Sequence, residues 1–149
     1  MASSRPPLVD SQARVLFVGF DTVAHKPIGV QAEIDAIEAE LAAANVSGSL
    51  PFHAEPQGDT DTLHNALLAA PRAEVLHFSA HGHSVNGIVL EDAEGRAFSV
   101  SGERLATLLG RFRNLRLVVL AACHQRAQAD ALCDLFDCVV GTDGRGRLV

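Results

Sequence analysis

Two short segments hold the residue types of nucleophilic chemistry. The apolar run AEVLHFSA (73–80) leads into His81-Gly82-His83, and the run LRLVVLAA (115–122) leads into Cys123-His124. A cysteine attacks as its thiolate, and a neighbouring imidazole stabilises that anion or takes the proton. If the two runs are adjacent parallel strands, about 4.8 Å apart, His81 and Cys123 face each other across the carboxyl edge of one sheet. Cys123 also directly precedes a helical segment, whose positive end lowers a thiol pKa. Gly82 has no Cβ, so a substrate carbonyl can approach its backbone, and the N–H groups of Gly82 and Cys123 are natural oxyanion donors. His83 and His124 flank the pair and could line or tune a pocket. Asp92 is first of all a turn residue, but its hairpin emerges beside His81 and could touch a substrate. The plain alternatives are a satisfied histidine at a strand end and a small buried thiol.

The rest of the chain supplies elements that could hold such a pair. ARVLFVGF (13–20) is apolar on both faces and bounded by Asp21, as a central parallel strand would be. Over 28–44 the period changes: Val30, Ile34, Ile37 and Leu41 recur at helical spacing, with Glu33, Asp35, Glu38 and Glu40 between them. Pro27 is placed to begin that helix, and Asn45 and Gly48 to end it. SLPFHAE (49–55) is a weaker strand. Asp59 or Thr60 can cap a helix over 60–70 that Pro71 stops. GIVLEDAEGRAFSV (87–100) reads as a hairpin around Asp92-Ala93-Glu94-Gly95. Ser99 or Ser101 caps a helix bearing Leu105, Leu108, Leu109 and Phe112. Residues 125–135 are helical and 137–141 form a last strand. Strands alternating with helices imply a mostly parallel sheet covered on both faces, with ligands at the carboxyl ends of the strands.

Composition narrows the function classes. A chain of 149 residues is one domain and can bury a core without disulfide or metal. A net charge of −6 argues against a nucleic-acid partner. Charge is uneven: residues 1–95 carry four basic and thirteen acidic side chains, residues 96–149 eight and five. Arg104, Arg111, Arg113 and Arg116 crowd one helix and its exit, either as a solvated face or as a docking patch for an acidic partner. Three cysteines, an odd count with no CxxC, fit free thiols in a reducing compartment, here the cytoplasm. Cys133 and Cys138 read as core thiols. His25, His53 and His64 read as surface or loop residues. No apolar run is long enough to span a membrane, and residues 1–12, which lack the apolar core of a secretory signal, read as a tail before a domain at 13–149.

These segments resemble the CHAT family of caspase-like cysteine peptidases. The resemblance rests on HFSAHG, the hairpin GIVLEDAEGRAFSV, the helix SGERLATLLG and the strand LRLVVLAAC. It runs roughly over 13–141 and is tightest over 73–141. It implies an α/β, three-layer caspase-like (flavodoxin-like) fold, with a mostly parallel sheet, helices on both faces and a hairpin inserted after the third strand. It implies His81 as general base and Cys123 as nucleophile of peptide-bond cleavage, through an acyl-enzyme, with the Gly82 and Cys123 amides as the oxyanion hole. It also implies a dedicated protein substrate and a bacterial setting, while the excess of Arg (eleven) over Lys (one) hints at a GC-rich coding genome. Arginine-specific metacaspases carry an Asp two residues before the cysteine. Here Ala121 stands there, so a basic P1 preference is not supported. The family continues past the fifth strand with a helix and a sixth strand, so a truncated domain is expected, with strand 137–141 left at an edge open to a second copy or partner.

Two rivals stand beside this reading. His77, His81 and His83 share strand parity, with Cys123-His124 opposite if the two strands are neighbours, as in a zinc site, yet no Asp follows His83 as metallo-β-lactamase-like hydrolases require. A non-catalytic protein-interaction module is the other. No phosphate-cradling GxGxxG or GxxxxGK[ST] occurs, and no metal or cofactor is expected.

Overall fold

The computed structural model describes residues 12–21, 28–83, 87–122 and 126–141. β1 (Val15–Phe20) is buried along its whole length. It pairs in parallel with β2 (Phe52–Glu55) on one side and β3 (Val75–His83) on the other. β3 in turn pairs in parallel with β6 (Leu117–Ala121), and β6 with β7 (Cys138–Val140). The five parallel strands therefore lie in the order β2-β1-β3-β6-β7. β4 (Gly87–Glu91) and β5 (Ala97–Val100) form an antiparallel hairpin joined to the far end of β3, completing a mostly parallel, open, seven-stranded sheet.

Side-chain alternation sorts the strands onto two cores. Phe17 points to one face, where Val30 and Ile34 of α1 (Val30–Ala43) cover it together with Ile37 and Phe52. Leu16, Val18, Phe20, Leu76, Phe78, Val118 and Leu120 point to the other. There they meet α2 (Thr60–Ala69), α3 (Gly102–Leu109) and α4 (Arg126–Leu132) through Leu63, Leu67, Leu105, Leu109 and Leu132. Helices thus cover both faces, and the α/β layering expected from the alternating pattern holds. Among the described residues no helix is long and apolar enough to cross a membrane.

Local chemistry sets the boundaries. α1 ends in a Schellman arrangement: Asn45 takes φ 55°, its N–H bonds to Ala42 O, and Val46 N bonds back to Leu41 O. Pro27, expected to begin it, lies outside the described residues. Asp59 rather than Thr60 caps α2, accepting from Thr62 N at 2.7 Å. Ser101 rather than Ser99 caps α3, accepting from Arg104 N. β7 pairs with β6 alone among the described residues, so it is an edge as expected.

Two boundaries differ from the expectation. β3 does not end at Ala80: His81, Gly82 and His83 find antiparallel partners in Val89, Ile88 and Gly87. A strand read from its apolar run alone stops where the run stops, but a tertiary ladder carries it on. α4 ends at Leu132, so Cys133 falls in the following turn and Cys138 on the edge strand. Both thiols are exposed, not in the core.

Gly87, the first residue of β4, has no room for a side chain. It holds φ 90°, and a Cβ there would run into the Val100 carbonyl oxygen and come within 2.8 Å of the Gln128 amide nitrogen. Gly48, by contrast, has open space around it. Gly87→Ala should therefore lower stability by about 2–3 kcal/mol, with Gly48→Ala close to wild type. Urea denaturation of both variants checks this.

Candidate active site

The carboxyl ends of three strands converge. The β3–β6 ladder runs from Val75↔Leu117 to Ser79↔Ala121. His81 and Cys123 each follow the last of these partners by two residues along the chain. The adjacency and direction expected of the two strands are therefore present. Cys123 and His124 lie outside the described residues, and of His83 only the backbone is described.

His81 is largely buried, its side chain 17% exposed, and its Nε2 lies 4.0 Å from Oδ1 of Asp21. Asp21 was legible only as the residue that closes the first apolar strand. The register explains the meeting. β1 pairs with β3 through Phe20↔Ala80, so the next residue of each strand is Asp21 and His81. Gly82 stands opposite Ile88 and is half-buried.

Asp21 and Gln57 form the shared wall of two surface clefts. One, of about 400 Å³, is also lined by Val30, Gln31, Glu55, Pro56 and Gln57. The other, of about 250 Å³, is lined by Gln57, Gly58, Asp59, Glu91, Asp92, Ala93 and Gly95. Asp92 is the turn residue expected, and it lines the second cleft together with Asp21. Its carboxylate accepts from the backbone N–H of Arg96 and of Glu94 and from Arg96 Nε at 2.8 Å. Those bonds, the Arg96 amide first, hold its pKa below the ordinary value. The turn closes with Gly95 at φ 79°, the left-handed residue that a three-residue hairpin loop needs.

A second polar cluster was missed in the sequence. His77 and Ser79 share the face of β3 turned toward α1, and Glu33 of α1 bridges them. His77 Nε2 is 2.6 Å from Oε1, and Ser79 Oγ donates to Oε2 at 2.8 Å. The His77 ring stacks on Phe17 at 5.0 Å. Glu33 reads as a solvent-side carboxylate of an amphipathic helix, yet it stands three residues after the buried Val30 and so shares its face. That spacing was the available signal. His77 is therefore engaged with Glu33, and among the described residues no three His, Cys, Asp or Glu side chains group as a metal site.

The remaining residues take structural places. His53 pairs with Glu55 at 2.9 Å, and the His64 ring stands edge-on to Phe112. His25 lies outside the described residues. On the arginine-rich side, Arg116 Nε bonds Asp137 at 2.7 Å, and that carboxylate raises the guanidinium pKa.

A family model for the CHAT domain matches residues 4–135. The chain belongs to the CHAT domain family. Among curated proteins, none matches it. CHAT membership points to the caspase-like peptidases, and the CHAT match spans every strand from β1 to β6 together with His81, Asp21 and the ladder that ends beside Cys123.

The Glu33 bridge has a pH signature. Burial by itself raises this carboxyl, but the hydrogen bonds from His77 and Ser79 and the charge of His77 outweigh it, so its pKa sits below the ordinary 4.5. Below that value the unfolded chain takes up a proton that folded Glu33 refuses. The bridge thus stabilises the fold above pH 4.5 and loses its contribution as pH falls through the lower, folded value. Glu33→Gln should cost about 1–2 kcal/mol at pH 7 and flatten the loss of stability on acidification. Urea unfolding across a pH series, variant against wild type, measures both.

Proposed function

We propose that this CHAT domain is a cysteine endopeptidase that cleaves a specific protein partner, with Cys123 as nucleophile and His81 as its acid–base partner. The observation that carries the reading is the parallel β3–β6 ladder, which ends at Ser79↔Ala121 directly before His-Gly and Ala-Cys in a chain matched to the CHAT family. In the first step the Cys123 sulfur attacks the scissile carbonyl carbon and its proton passes to His81. The C–N bond then breaks, His81 returns the proton to the leaving amine, and a thioester remains. His81 next takes a proton from water, whose oxygen attacks the thioester and releases the acid and the thiol. The backbone N–H groups of Gly82 and Cys123 would hold the oxyanion, with His83, His124 and Asp92 as pocket residues.

Further features fit this reading. The carboxylates lining the clefts beside His81 repel phosphates, which suits a polypeptide better than a nucleotide or nucleic acid. A free catalytic thiol suits a reducing compartment such as the cytoplasm. The β7 edge offers a ladder to a second copy or to the partner.

Selective alkylation tests the proposal well because Cys133 and Cys138 are themselves exposed. Faster reaction at Cys123 then reports reactivity, not access. Iodoacetamide should modify Cys123 first, and His81→Ala should slow that modification. Cys123→Ala should abolish cleavage of candidate partner proteins, and His81→Ala should reduce it by about 10²-fold or more. Equal labelling of the three cysteines with no cleavage would instead identify an interaction module.

A further inference from the structure

We infer that Asp21 is the positioning residue of His81, a third member behind the proposed His81–Cys123 pair. The inference rests on the reading of His81 as the acid–base group and adds to it the carboxylate that sets its tautomer and charge. The geometry is built into the sheet. Asp21 and His81 are the next residues after Phe20↔Ala80 in the β1–β3 register. Asp21 Oδ1 faces Nε2, with both side chains at least three-quarters buried. A carboxylate at Nε2 favours the proton on that nitrogen. Nδ1 is then left as the basic nitrogen, and the imidazolium that forms when it accepts the thiol proton is stabilised.

The separation of 4.0 Å is longer than a hydrogen bond. Catalytic hydrogen bonds are often long before substrate binds and tighten in the complex. Asp21 lines both clefts, so a group bound in either one lies beside it.

Other carboxylates near the site have different duties. Asp59 is the N-cap of α2. Asp92 is held by Arg96. Glu55 pairs with His53. Glu91 lines the smaller cleft and lacks the cross-strand position of Asp21. Among the described residues, the other close carboxylate–imidazole pair on β3, Glu33–His77, lies farther back along the strand.

The test is a ring titration of His81 by NMR in the full chain, together with the pH dependence of Cys123 alkylation, for wild type, Asp21→Asn and Asp21→Glu. Removing a carboxylate this close should lower the His81 titration midpoint by about one pH unit. It should also slow Cys123 alkylation at neutral pH by about tenfold, and Asp21→Glu should recover part of both. A merely structural Asp21 would change the unfolding midpoint and leave the ring titration of the folded protein in place. An unshifted His81 titration in Asp21→Asn overturns the inference whatever the thiol does. Should that variant not fold, the same reading is taken from Asp21→Ser. If instead His81 shifts while His81→Ala leaves Cys123 labelling unchanged, the pairing of Asp21 with His81 stands and the dyad is what fails.

Discussion

The double ladder on β3 is the constraint on which the rest of the structure depends. From Val75 to Ser79 this strand is hydrogen-bonded on both edges, to β1 and to β6, and both its faces are covered. A strand so placed has no slack: a slip of one residue would exchange Leu76, Phe78 and Ala80 for His77 and Ser79 in the larger core. The Phe20–Phe78 stack, at 4.9 Å, locks the register from that core. Asp21 and His81 are placed by counting forward from this ladder. Asp21 follows β1, His81 lies within β3, and Cys123 comes two residues past the last partner on β6.

The same strand shows how a polar group is tolerated inside an α/β sheet. Ser79 is 2% exposed, and a hydroxyl there is costly unless it is bonded. Glu33 reaches down from the first turn of α1 to satisfy both Ser79 and His77. Close approach of α1 depends on Gly19, where a Cβ would lie 2.6 Å from a Val30 methyl. The helix, the glycine and the two polar residues of β3 thus form one packing solution, in which a carboxylate–imidazole pair replaces an apolar contact.

Much of this was legible in the sequence, and the exceptions have a common cause. The runs 13–20 and 115–122 and the hairpin turn at Asp92–Gly95 declare themselves locally, through composition and period. So do the caps, although Asp59 against Thr60 and Ser101 against Ser99 could be separated only by geometry. What local reading could not supply was the partner. The extension of β3 to His83 depends on β4, the role of Glu33 on β3, and that of Asp21 on a register between two strands far apart in the chain. Cys133 looked like a core thiol because helical periodicity runs on past Leu132, where the backbone turns away. His81 was readable because its own strand announces it. Asp21 was not, because it is ordinary until its neighbour is known.

The hairpin also ties together two parts of the surface around His81. β4 is bonded to His81–His83 at one end, and its turn walls the cleft that Asp21 shares at the other. Gly87, the first residue of β4, has Val100 and Gln128 so close that no side chain fits there. The hairpin thus joins the cleft wall at Asp92 to Gly95 to the rungs that hold His81 through one short two-stranded element.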